Sequence, residues 1–183
     1  QVSIAILREA YRRGLQPSLF PISNQIDMSA QTPDPGFDQW IRNAQERGLK
    51  EHSRKNPAVK LWHINGAMES VSEEQHLINF HECSVITPYE RNILQNQKTV
   101  FVTSNYTKRV FEDFGLKNVK YLPLGFDKDA FFPTGREYLG KDVVVFGLFG
   151  KLEKRKSHFK VLKAWSEMFG NNPRYRLHAC LWN

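Results

Sequence analysis

The sequence predicts an α/β fold: a Rossmann-like parallel sheet with helices on both faces. Three observations carry this expectation. Helix-like and strand-like segments alternate along most of the chain. Two strand–turn–helix units lie close together, at 99–115 and 143–169. The first part of the second unit, VVVFGLF at 143–149, is continuously apolar, which is the pattern of a strand buried on both faces.

The elements follow in order. Residues 2–13 read as a helix with Val2, Ala5, Ile6 and Ala10 on one face and Gly14 as its stop. Residues 15–22 read as a short strand, and 23–36, polar and proline-containing, as a loop. A polar helix is expected over 37–55, with Gly48 as its weak point. A strand at 59–64 runs into Asn65-Gly66, and a second at 77–80 ends at His81. Residues 87–96 form a helix with Pro88 in its first turn, where the missing N–H costs nothing. A strand at 99–103 leads to Ser104, the N-cap of a helix that turns Thr107, Val110, Phe111 and Phe114 inward and ends at Gly115. A strand at 119–122 and a long loop at 123–140 precede the apolar strand. The helix at 157–169 is expected to turn Val161, Leu162, Trp165, Met168 and Phe169 inward, and 175–182 is the last strand. No internal repeat and no low-complexity tract interrupts the pattern.

A length of 183 residues bounds the chain at one domain or slightly more, and 40% hydrophobic content suffices for a core. The apolar runs are strand-sized, so no transmembrane span is expected. The opening QVSIAILREAYRRG lacks a basic n-region and a cleavage site, so it reads as an amphipathic helix and not a signal peptide. The two cysteines, Cys83 and Cys180, lie far apart in strand-like contexts. That argues against a disulfide framework and for a reducing, cytoplasmic compartment. The net charge of +7 points to an anionic partner: a nucleotide, nucleic acid or an acidic membrane surface to which the chain attaches peripherally. No DNA- or RNA-binding motif accompanies the charge, so nucleic acid is not the expected partner. Zinc, P-loop and nucleophile-elbow patterns are absent from the sequence as well. Asp127-Lys128-Asp129 is formally an Asp-x-Asp pair suited to a hard cation, but it falls in a turn and no metal is expected there. The charges that stand out are Lys151, Lys154, Arg155 and Lys156, gathered between a strand and an amphipathic helix. Cations there suit an anionic leaving group, with phosphate the obvious candidate.

These residues also carry a resemblance. VFVTSNYTKRVFEDFGLKNVKYLPLGFDKDAFFP resembles the end of the N-terminal domain of GT-B glycosyltransferases. The family is the large retaining one that includes glycogen- and sucrose-type synthases and many lipopolysaccharide transferases. Its pattern of strand, Ser, helix, Gly, strand and Pro-Leu-Gly-x-Asp is met by Ser104, Gly115, 119–122 and Pro123-Leu124-Gly125-Phe126-Asp127, with Phe132-Pro133 following. Its Gly-Arg-Leu-x-x-x-Lys-Gly loop is similar to Gly150-Lys151-Leu152-Glu153-Lys154-Arg155-Lys156-Ser157. INFHECSVITPYERNIL resembles the family's acceptor-side region, so that the likeness covers 77–182.

The resemblance implies two Rossmann-like domains facing a cleft. Residues 1–135 would be the acceptor-side domain without its first strand, and 136–183 the opening βαβ of the nucleotide-sugar domain. On that basis the chain is a segment of a longer protein and is inactive alone. The implied activity is transfer of a sugar, with retention, from a nucleotide sugar to a glycan, lipid or protein acceptor. The donor is a substrate, and no cofactor or obligatory metal is implied. Lys151 and Lys156, with Gly147 and Gly150, would hold the diphosphate. His81 would join the two lysines as a catalytic group, with His63 its competitor and Glu82 and Ser104 as further cleft residues.

Two positions depart from the family. Lys151 replaces an arginine and gives up its bidentate fork, and Ser157 replaces a glycine. The family's Glu-x7-Glu segment would lie beyond this chain. Two alternatives stay open: a non-catalytic GT-B-like binding module and a nucleotide-sugar epimerase.

Overall fold

The computed structural model describes residues 2–23, 26–29, 31–126, 128, 131–137 and 142–182. The chain divides into two compact units, Gln1–Asp127 and Lys128–Asn183, parting inside the 123–140 loop. Asp127 and Asp129 of the Asp-x-Asp pair lie outside the described residues.

The first unit holds a parallel sheet of β1 (Ala58–Leu61), β2 (Gln75–Asn79), β3 (Thr99–Val102) and β4 (Val119–Tyr121), in that order. Helices α3 (Pro88–Gln95) and α4 (Asn105–Asp113) make the last two crossovers. Because each strand is added on the same side of the one before, right-handed crossovers bring both helices to one face. Leu77, Val100 and Val119 align across the sheet on that face. With Val102 they meet Ile93, Leu94, Val110, Phe111 and Leu116 in one core. The sheet is thus parallel and flanked by helices, compatible with a Rossmann-like arrangement.

Polar side chains close the helix ends. Thr87 and Glu90 form a capping box at the start of α3. At its other end the Gln97 amide donates to the Ile93 carbonyl at 3.0 Å and the Asn118 amide to the Leu94 carbonyl at 2.9 Å. The same two carbonyls also accept the backbone amides of Asn96 and Gln97, at 3.3 and 3.2 Å.

A second cluster of the same unit joins α1 (Val2–Arg12) to α2 (Pro35–Lys50) through Ile4, Phe37, Trp40 and Ile41, with Leu7, Tyr11 and Leu19 against them. The buried stripe of α1 is therefore Ile4, Leu7 and Tyr11. Of the face expected from the sequence, Ala10 packs against this cluster, whereas Ala5 and Ile6 face solvent. Residues 15–22 form no strand. Pro17 and Pro21 lack amide hydrogens, and side chains of α2 take the carbonyls: the Trp40 indole donates to Leu15 at 3.0 Å and Arg47 to Pro17 at 3.1 Å. Helix α2 stops at Lys50 and not 55, yet runs unbroken through Gly48. A Cβ at Gly48 would stand 2.8 Å from the Leu19 carbonyl oxygen, so this glycine serves close approach. Cys83 sits in irregular chain after β2 and not in a strand; it and Cys180 are both free and exposed.

The second unit is a two-stranded parallel ribbon, β5 (Val144–Lys151) with β6 (Tyr175–Trp182), joined through α5 (His158–Phe169). The expectation that β5 is buried on both faces is not met. Only its first residue, Val144, is buried, while Val145 and Phe149 are exposed. Among the described residues β5 pairs with β6 alone, and a single helix cannot cover both faces of a ribbon. The narrow seat also trims the inward face of α5. His158 is buried and Leu162, Trp165 and Phe169 are half-buried, whereas Val161 and Met168 are exposed. Phe169 stacks on Phe146 with centroids 5.5 Å apart and meets Tyr175 at 4.6 Å. Among the described residues no helix is long and apolar enough to cross a membrane.

Candidate functional site

Open α/β sheets bind ligands beyond the carboxyl ends of their strands. At that edge of β1 and β2 the first unit has an open cavity of about 270 Å³ lined by His63, Ile64, Asn65, Asn79, Phe80, His81 and Glu90. A neighbouring hollow of about 280 Å³ shares His63 and Phe80 and adds Val2, Ser3, Leu61 and Trp62.

Each polar group reaches this edge for a local reason. Asn79 is the last residue of β2 and is buried. Its amide donates to the Trp62 carbonyl at 2.9 Å, tying the two strand ends together, while its Oδ1 is buried with no partner among the described residues. His81 follows two residues later, its ring against Phe111 at 5.1 Å. The ring Nε2 lies 3.1 Å from the Val85 carbonyl. A carbonyl only accepts, so Nε2 carries the hydrogen.

The His81 backbone is held in turn from α4. The Ser104 hydroxyl caps that helix, accepting from the Thr107 amide at 3.0 Å, and donates to the Thr107 hydroxyl at 2.9 Å. The Thr107 hydroxyl then donates to the His81 carbonyl at 3.1 Å. The structure thus brings His63 and His81 into one cavity and leaves Ser104 behind it as a support. Glu82 is exposed and outside the lining.

Glu90 is a lining residue that sequence reading missed. The Thr87 amide donates to it at 2.8 Å and holds its carboxyl below the usual carboxylate range. Partial burial opposes this, while the Thr87 hydroxyl and the His81 ring add to the lowering. The signal was available, since Thr-x-x-Glu before an apolar run is a capping box. Asn79 and Asn65 carried no comparable signal, because only the pairing of β1 with β2 brings them to this edge.

The second group lies at the β5–α5 turn. Gly150 has φ of 140°, a conformation that side chains rarely adopt, and a short 3-10 turn, Lys154–Lys156, follows. Ser157, at φ 55°, is the one non-glycine residue with positive φ among those described. Lys151 and Lys156 are exposed and make no ion pair among the described residues, whereas Arg155 pairs with Glu153 at 2.9 Å. A Cβ at Gly147 would meet only the ring of Phe149, an exposed side chain.

Among the described residues no group of three or more His, Cys, Asp or Glu side chains is placed to hold a metal ion. No family model, curated protein or solved structure matches the chain.

Proposed function

We propose that the chain is part of a GT-B glycosyltransferase that moves a sugar from a nucleotide sugar to an acceptor with retention of configuration. The observation that carries this reading is the β5–α5 turn, where Lys151 and Lys156 stand exposed at the entry to a helix with no acidic partner among the described residues. In the reaction the bond between the anomeric carbon and the phosphate oxygen breaks, and its electron pair stays with the diphosphate. Two ammonium groups and the amides opening α5 would stabilise the charge that grows there. The left-handed Ser157 supports the same reading, since the family that the turn resembles has glycine at this position. The cavity lined by His63, Asn79, His81 and Glu90 supplies donors and acceptors for sugar hydroxyls. His81, with Nε2–H engaged by Val85, offers Nδ1 as the acceptor. Two free, exposed cysteines agree with work in a reducing cytoplasm.

The test is transfer or hydrolysis by the full-length protein with a panel of nucleotide sugars. Lys156→Ala is expected to lower kcat about 100-fold, roughly 3 kcal/mol in the barrier, with a small change in KM. Unchanged turnover in that variant would remove the lysine from the reaction. Nucleotide binding without turnover of any donor would favour the non-catalytic module.

A further inference from the structure

We propose that His158 is a positioning residue that locks the basic turn from inside and so sets where Lys151 and Lys156 stand. His158 is the first residue of α5 and is only 4% exposed. Its Nε2 lies 2.8 Å from the carbonyl oxygen of Lys151, the last residue of β5. The acceptor is a carbonyl, so Nε2 carries the hydrogen and donates it. This bond joins the end of the strand to the start of the helix across the turn that carries the lysines. The same carbonyl also accepts the Glu153 amide at 2.9 Å, and the Leu152 amide is held by the Trp182 carbonyl at 2.7 Å.

The ring also flanks Gly150. A Cβ on that glycine would lie 3.6 Å from His158 Cε1 and 3.7 Å from both His158 Nε2 and Lys156 Nζ. The buried ring and the Lys156 ammonium therefore border the same point of the backbone. Burying the ring is not free, because Nδ1 is enclosed with no partner among the described residues. An apolar side chain would avoid that penalty. What it would lose is the Nε2–H bond, and with it the fixed position of the Lys151 backbone.

The functional half of this assignment rests on the phosphate reading of the turn; the conformational half does not. Both are read on the full chain with His158→Phe and His158→Gln, the second of which places an amide N–H near the former Nε2. One measurement is amide hydrogen exchange over 150–157 without ligand. The other is calorimetric titration with inorganic pyrophosphate at fixed low salt. His158→Phe is expected to speed exchange in the turn about tenfold and to weaken pyrophosphate about tenfold, the worth of one hydrogen bond, while the β5–β6 ladder keeps its protection. His158→Gln is expected to restore both.

Wild-type behaviour in His158→Phe would overturn the assignment. So would a glutamine variant as defective as the phenylalanine one, since packing and not the donor would then be at work. If the phenylalanine variant loses its ladder, the glutamine variant decides alone: retained turn protection upholds the role and lost protection ends it. A wild-type chain that binds no pyrophosphate would end the phosphate reading and the functional half, while the exchange measurement still decides whether His158 holds the turn.

Discussion

At the scale of single residues, Ser157 is the clearest case of a position that wants a different side chain. Its φ of 55° crowds a Cβ against the backbone, and glycine would remove that crowding. Ser157→Gly is expected to stabilise the second unit by about 1 kcal/mol in denaturant unfolding, and Ser157→Val to destabilise it by more. The serine at this turn was visible in the sequence; its left-handed dihedral was not. Lys151 and Lys156 were legible for a related reason. A run of cations at a strand–helix turn is a local pattern, and the structure leaves both exposed at the entry to α5. Asn79 was not legible, because its burial comes from the neighbouring strand and the carbonyl of Trp62.

At the scale of elements, the capping box of α3 joins stability to the candidate cleft. Thr87→Ala removes the acceptor for the Glu90 amide and the hydroxyl that steadies its carboxylate. A loss of about 1 kcal/mol is expected in thermal or denaturant unfolding. The carboxyl of Glu90 lies below its ordinary 4.5 when folded. The native state therefore binds the proton less readily than the unfolded one. The stabilisation is full above pH 4.5 and is lost as pH falls through the folded value. Glu90→Gln should flatten the acid limb of a stability–pH curve, and an unaltered limb would show that other carboxylates set it.

Elements with strong local signals were readable: α3, α4 and the strands before and after them. The strand expected at 15–22 was not there because Trp40 and Arg47, far along the chain, claim its carbonyls. The burial of β5 was misjudged for a different reason. An apolar run shows what a strand can bury, not what is present to cover it.

At the scale of the whole molecule, the division into two compact units predicts that each unfolds separately. Phe111 is fully buried among α4, β2 and β3 in the first unit. Phe111→Ala is expected to cost 3–5 kcal/mol, about the usual range for a core aromatic. Amide exchange in the β5–β6 ladder should not change. Equal loss of protection in both units would mean that they unfold as one. The net charge of +7 acts at this scale too: pyrophosphate affinity should fall as salt is raised, because exposed lysines are screened.

The hydroxyl chain from Ser104 through Thr107 to the His81 carbonyl makes one side chain answer to two selections. If the proposed function holds, a genetic screen for thermolabile variants and a separate screen for weakened ligand capture would both return the Ser104 codon. Suppressors would differ between them. A change that merely strengthens the start of α4 would rescue the first phenotype and leave the second, because the Thr107 hydroxyl needs a donor at position 104.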